Sequence, residues 1–410
     1  MRILKVLLNS ALLASAFLPW NATAIDHVDL SKQVGIFGTN KFSPNYTENL
    51  LVKSLLEITQ GKTQQALDTL DQLIRDMPNF KLAYLVRGDL LMAKAQRQPS
   101  FGNASMGAPD KISDFRAEAR MRIEHYLSQQ NAANKIPEPI WQLDASQKNV
   151  IIVDADKSRL YLYRNQGGSP EYVTDYYVTV GKNGYEKSTE GDKRTPLGIY
   201  SASGKLDRKL PDFYGDAAYP LNYPNEWDKH QGKNGHGIWL HGTPASTYSR
   251  PPRASDGCVV LTNPDLKSLA PILQTGKTLV IIANNLQWLD AKQASMQKND
   301  LSKAIDHWRK DWESQNTDSY LAHYSDKFFT QTSDLSTWSK DKRRIQATKS
   351  QIEIKLSNMS MFRYPNSQFT MVAVNFDQDY KSNNLDSKMR KRQLWILENQ
   401  RWKIIYEGAA

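Results

Sequence analysis

The hydrophobic repeat of this chain changes twice along its length, and each change confines a segment to a different class of structure. From about residue 26 to 146, apolar side chains recur at spacings of three and four: Leu51, Leu55 and Ile58, then Ala66, Leu70, Leu73 and Ile74, then Ala83, Leu85 and Leu90. That is the period of a helix with one buried face, and Gly61 and Pro78 punctuate it into a helical hairpin. From 147 to 287 the period becomes two. Val150–Val153, Leu160–Tyr163, Tyr176–Val180, Ile238–Leu240, Cys258–Leu261 and Leu279–Ile282 read as short strands separated by Gly, Asn, Asp and Pro. From 300 to 410 an amphipathic helix carrying Ile305, Trp308 and Trp312 leads through Tyr320 and Tyr324 into long strand patterns at Ile352–Phe362, Phe369–Phe376, Gln393–Leu397 and Trp402–Tyr406. Helices followed by an antiparallel sheet make an α+β domain.

With 410 residues, 40% hydrophobic and 10% aromatic, the chain is long and apolar enough for two or three packed cores. The fold expected is therefore multidomain: an α-helical region over 26–146, a mainly-β domain over 147–287, and an α+β domain over 300–410.

The first residues point to export. Arg2 and Lys5, the apolar stretch Val6–Phe17 and the small-residue site Ala22-Thr23-Ala24 predict a signal peptide over 1–24, cleaved before Ile25. An uncleaved anchor is the weaker reading, because Asn9 and Ser10 interrupt a stretch short for a bilayer. No later run of about 18 apolar residues is present, so the chain is not expected to be an integral membrane protein. The expected location is the periplasm. The formal charge of +10 suits acidic wall polymers or anionic lipid there, and no nucleic-acid partner is expected. The basic clusters Lys340–Arg344 and Lys388–Arg392 read as solvated faces.

The single cysteine, Cys258, cannot form an internal disulfide in an exported chain. It lies in Ser255-Asp256-Gly257-Cys258, seventeen residues after His241-Gly242. A thiol becomes a nucleophile when a base or cation favours its thiolate, and histidine is the usual partner. His241 ends one predicted strand and Cys258 begins the next, so both can line one sheet edge. Gly257 lets the backbone turn sharply, and the N–H groups of Gly257 and Cys258 could converge on an oxyanion. The segment Thr243–Ala254 between them reads as a rigid crossing loop. His236, five residues before His241, falls on the opposite strand face if the strand is unbroken, and a structural role is its other reading. His236, His241 and Cys258 lack any metal-ligand clip, so no metal and no cofactor are expected.

His241-Gly242-Thr243 and Ser255-Asp256-Gly257-Cys258, together with Gly191-Asp192-Lys193-Arg194-Thr195-Pro196-Leu197-Gly198-Ile199-Tyr200 and Leu221-Asn222-Tyr223-Pro224-Asn225, resemble the catalytic domain of L,D-transpeptidases of the YkuD type. The resemblance implies a cysteine acyltransferase acting on peptidoglycan stem tetrapeptides through a thioester, with Cys258 as nucleophile and His241 as base. It implies cross-linking or remodelling of the wall, with an L,D-carboxypeptidase that trims tetrapeptide to tripeptide, or an amidase releasing wall-linked protein, as alternatives. Wall-anchored or other envelope proteins are further possible partners. The expected substrate-binding set is Arg253, Gly242, Ser255, Tyr223, Asn222 and His236. Two departures stand out: Asp256 occupies a position where many members carry His, and Val260 one that often holds Arg. Arg250 and Arg253 lie on the loop leading into the motif, able to offset Asp256 and to bind a substrate carboxylate. Solvated loop charges are their other reading.

The C-terminal stretch resembles the cone of nuclear-transport-factor-like and scytalone-dehydratase-like proteins, in which Trp308, Trp312, Tyr320 and Tyr324 on helices would face a curved antiparallel sheet. Similar appended domains occur in L,D-transpeptidase relatives with trimming activity. Ala66, Leu70 and Pro78 have the spacing of one tetratricopeptide unit, too few for a solenoid. The competing class is a non-catalytic wall-binding or scaffold protein.

Overall fold

The structure is a computed structural model that describes residues 45–95, 109–128, 135–207, 209–273, 278–365, 367 and 369–410. The expected signal peptide lies outside the described residues.

Four helices open the described chain: α1 (Tyr46–Thr59), α2 (Thr63–Asp76), α3 (Lys81–Ala95) and α4 (Pro109–Ser128). Their three-and-four spacing gathers Leu51, Leu55, Ala66, Leu70, Leu73, Ala83, Val86 and Leu90 into one core. Each such leucine contributes about 1.5–3 kcal/mol when fully buried. Leu70 and Ala66 are buried in it.

Within the segment expected to be helical, residues 136–137 and 140–142 are extended instead, with a turn at 138–139. They form β1 (Ile136–Pro137) and β2 (Ile140–Gln142). The catalytic-type region follows with β3 (Asn149–Asp154), β4 (Arg159–Gln166), β5 (Ser169–Tyr177), β6 (Val180–Gly181), β7 (Gly198–Ser201), β8 (Ala218–Pro220), α5 (Glu226–His230), β9 (Trp239–His241), β10 (Arg253–Ser255), β11 (Val259–Val260), α6 (Asn263–Leu269) and β12 (Leu279–Ala283). A five-stranded sheet in the order β5-β4-β3-β12-β7 is its centre, accompanied by a three-stranded sheet β11-β9-β8 and the pair β10-β6.

The central sheet is buried on both faces. Ile151, Val153, Leu160, Leu162, Val280 and Ile282 pack with Leu240 and Val259 of the small sheet and with Leu261 just beyond it. Val150, Ile152, Tyr161, Tyr163, Leu279 and Ile281 pack against Phe362, Met371, Ala373, Leu394 and Ile396 of the C-terminal sheet. A sheet covered on both sides needs near-continuous apolar strands, which is what Val150–Val153 and Leu279–Ile282 are.

The C-terminal region begins with β13 (Trp288–Leu289), which pairs with β1, and continues with α7 (Ala291–Glu313), α8 (Thr317–Leu321), β14 (Tyr324–Phe329), α9 (Leu335–Gln346), β15 (Ile352–Arg363), β16 (Met371–Ser382), β17 (Leu385–Glu398) and β18 (Arg401–Ala409). Its sheet runs β14-β18-β17-β16-β15-β2. β2, although more than 200 residues upstream of β15, closes that sheet as an edge strand. Trp308 and Trp312 of α7 and Tyr320 of α8 pack onto Phe376, Trp395 and Ile404, which gives the expected aromatic cone. Tyr324 corrects one expectation: it opens strand β14 and is not on a helix. Its hydroxyl nonetheless meets that of Tyr320 at 2.6 Å inside the same core.

A buried polar network docks the helices on the central sheet. Glu48 of α1 joins Arg122 of α4 to Arg159 of β4, the latter at 2.5 Å, and Arg159 reaches Asp175 of β5 at 3.2 Å. Arg122 also meets Glu118 at 2.8 Å and lies 4.0 Å over the Tyr177 ring. Charges this deep are tolerated because they are mutually paired.

Candidate active site

The parallel pair β9–β11 sets the geometry. Val259 stands opposite Leu240, and Val260 opposite His241. Side chains alternate along a strand, so Cys258, one residue before the paired segment, shares a face with Val260 and therefore with His241. The two therefore lie diagonally across neighbouring chain segments on that face.

His241 is 1% exposed. Its Nδ1 lies 2.7 Å from the Gly242 carbonyl oxygen, an acceptor, so Nδ1 carries the proton and Nε2 keeps the lone pair. The ring packs against Tyr214 at 5.1 Å and Phe213 at 6.2 Å between centroids. Burial pushes the imidazole down to about 4, with the Arg250 charge acting in the same direction and the Gly242 carbonyl opposing.

Cys258 is half-buried and its thiol is free. Sγ donates to the Gly237 carbonyl at 3.3 Å. Burial pushes the thiol up to about 11, while the Trp239 backbone N–H and the Arg250 guanidinium pull it down. The resting site therefore holds a neutral thiol and a neutral imidazole. Thiolate and imidazolium are not the ground state.

The turn before the thiol is tightly made. Gly257 has φ +123°, where only glycine is at ease, and an added Cβ would lie 2.8 Å from the Arg194 carbonyl oxygen. Ser255 Oγ donates to the Cys258 carbonyl at 2.6 Å and accepts from the Gly257 N–H at 3.1 Å. Thr195 Oγ1, fully buried, donates to the Gly257 carbonyl at 2.9 Å and accepts from Gly181 N–H at 2.8 Å. The Gly257 N–H is thus engaged by Ser255, whereas the Cys258 N–H meets no acceptor among the described residues.

The family model of the L,D-transpeptidase catalytic domain (YkuD) matches residues 148–282. Those residues are a YkuD domain. A second family model, the Cds6 C-terminal NTF2-like domain, matches residues 300–408, the aromatic cone. Among solved structures, the chain is similar to Bd1075 of Bdellovibrio bacteriovorus, at 27% identity and TM-score 0.60 over 67% of this chain and 98% of that one. It also shares its fold with the helical cell shape determining protein Pgp2 from Campylobacter jejuni, at 24% identity and TM-score 0.56 over 70% of this chain and 99% of that one. No curated protein matches the chain.

The YkuD domain assembles part of the expected substrate set around the pair. Gly242 orients His241, and a Cβ there would overlap Asn263 Oδ1. Ser255 braces the cysteine turn. Tyr223 is a core residue, its hydroxyl bound to the Asn234 carbonyl at 3.1 Å. Asn222 ties back to the Ser201 N–H at 2.7 Å. His236 lies outside β9, its side chain 80% exposed and 3.4 Å from Glu190. Arg253 is exposed on β10, its nearest carboxylate Asp156 at 4.0 Å.

Asp256, the unusual neighbour of the thiol, is held 2.7 Å from Lys182 and faces solvent. Lys182 holds its carboxyl below the usual value, and its charge still pushes the Cys258 thiol up. Sequence reasoning did not anticipate Phe213, Tyr214 and the Gly237 carbonyl, which surround the pair from an aromatic turn and a glycine-rich loop without periodic signal.

Proposed function

We propose that this protein is an exported enzyme of the L,D-transpeptidase type, which uses Cys258 and His241 to open peptidoglycan stem tetrapeptides. The observation that carries the reading is the placement of Cys258 and His241 on one face of the β9–β11 pair, within a YkuD domain. The family acts on peptidoglycan, and the charge and the expected signal peptide are consistent with the periplasm.

In this reading His241 Nε2 takes the Sγ proton as sulfur attacks the carbonyl before the terminal residue. The Cys258 N–H, without an acceptor of its own, supports the oxyanion. The carbon–nitrogen bond then breaks, the imidazolium gives its proton to the leaving amine, and a thioester remains on Cys258. An amine acceptor converts the thioester into a cross-link; water converts it into a tripeptide. Either attack returns the proton to sulfur.

Hydrolysis is the second reading. The chain shares its fold with a protein described as determining helical cell shape. Cell-shape remodelling is accordingly the proposed role.

Intact-mass analysis after incubation with disaccharide tetrapeptide tests the reading. The expected result is a thioester adduct mapping to Cys258, absent in Cys258→Ser and strongly reduced in His241→Ala. A wild-type protein that never acquires the adduct, in a preparation that binds the wall, supports the non-catalytic scaffold instead.

A further inference from the structure

We propose that Arg250 is the seat of the donor peptide's terminal carboxylate, the α-carboxylate carried by the residue that leaves. The inference rests on the reading of Cys258 and His241 as the reacting pair.

Arg250 is only 9% exposed. A buried guanidinium ordinarily has a carboxylate beside it, because an uncompensated charge in the interior is costly. Among the described residues none lies within ion-pair distance of Arg250. Neighbouring cations differ: Lys182 faces Asp256 at 2.7 Å, Lys187 faces Asp192 at 2.8 Å, and Arg253 faces Asp156 at 4.0 Å. One of the five N–H donors of Arg250 is used, on the Phe213 carbonyl at 2.7 Å. The guanidinium lies 4.3 Å over the Phe213 ring, and that ring packs on His241. The fork is therefore fixed, charged, largely unspent and adjacent to the imidazole.

Its position matches the chemistry of the leaving group. The imidazolium protonates the departing nitrogen, and the terminal carboxylate is separated from that nitrogen by a single carbon. In this proposal the carboxylate sits on the cation that shares the Phe213 ring with the imidazole. The anion would also cancel a positive charge that opposes formation of the imidazolium, while removing the support that charge lends the thiolate.

The loop holding Arg250 is gripped from two sides. Tyr177 Oη and Thr179 Oγ1 donate to the Arg250 carbonyl at 3.0 and 3.1 Å. On the helical side, Tyr248 packs on Phe80 at 4.5 Å, Tyr248 N–H donates to the Asn79 carbonyl at 3.2 Å, and Ser249 Oγ donates to Glu118 at 2.6 Å. Such anchoring pre-organises a binding fork. It also gives the N-terminal helices a part in donor recognition.

The test compares two donors, disaccharide tetrapeptide with a free terminal carboxylate and the same compound ending in a carboxamide, by release of the terminal residue. Wild type is expected to prefer the carboxylate by about 10- to 100-fold in kcat/KM, the range of a charge-assisted bidentate contact. Arg250→Gln is expected to bring the ratio of the two donors to within about threefold of unity, with Arg250→Lys between, because it keeps the charge and loses the fork. Circular dichroism confirms folding, and the Lys variant supplies the answer if the Gln variant fails to fold. A wild-type preference that persists in both variants overturns the inference alone. Inactivity of wild type toward both donors overturns the reading of the reacting pair and this inference with it.

Discussion

The imidazole of His241 donates through Nδ1 to the carbonyl of Gly242, its own neighbour in sequence, at 2.7 Å. This contact fixes the tautomer, and it exists because the chain turns at a residue with no side chain. A Cβ at 242 would overlap Asn263 Oδ1, which accepts from the Asp216 N–H at 3.1 Å. Gly242→Ala is expected to lose about 1–3 kcal/mol through overpacking and to slow turnover by turning the carbonyl away. Thermal melting and initial rates check both effects.

His241 also makes stability depend on acid. The unfolded imidazole takes up a proton below about pH 6.5, whereas the folded one waits until about 4. Between those values the unfolded state binds more protons, so stability falls as pH drops, by about 3 kcal/mol in total. Melting curves from pH 7 to 4 should show this loss, and His241→Gln should flatten it.

Burial pushes the Cys258 thiol up to about 11 in the free protein. Alkylation by iodoacetamide should therefore be slow at pH 7, about 100-fold below an ordinary thiol, and rise about tenfold per pH unit toward 11. Because Arg250 favours the thiolate, Arg250→Gln should slow it further. Alkylation at pH 7 as fast as that of free cysteine would show a thiolate already present at rest.

The helices hold the site through Phe80 and Tyr248. Phe80→Ala and Leu70→Ala each remove a buried side chain of one core and should cost about 3–4 kcal/mol. Of the two, Phe80 has the ring contact with Tyr248, at 4.5 Å. The Phe80 variant is expected to raise the KM for the donor several-fold, and the Leu70 variant to leave it near wild type.

In the cone, Lys391 pairs with Glu407, which also accepts from Tyr324 at 3.0 Å and Gln393 at 2.9 Å. Lys391 and Lys342 hold the buried Glu407 carboxyl down at about 2. Its contribution is present above the usual value near 4.5 and is lost as pH falls toward 2. Lys391→Met should cost about 3–5 kcal/mol at neutral pH, measured by denaturant unfolding.

The strands around Val150 and Leu279 and the helix bearing Trp308 were legible because burial imposes a period on local sequence. The proposed pair, Cys258 and His241, stood out because glycine, histidine and cysteine occur there in a recognisable order. Tyr324 misled because its aromatic spacing from Tyr320 resembles a helical step, although the chain has already turned into β14. The joining of β2 to β15 depends on partners far apart in sequence, which no local pattern encodes. Arg253 drew attention by its closeness to Cys258 in the chain. The β10–β6 pairing nevertheless leaves it exposed, and the more distant Arg250 is the one buried beside His241.

The most direct measurement is product analysis after incubating the protein with disaccharide tetrapeptide, alongside Cys258→Ser. The account predicts released D-alanine together with tripeptide or cross-linked dimer, and none of these from the serine variant. Equal product from both proteins, or none from wild type that is folded and thiol-intact, would contradict it.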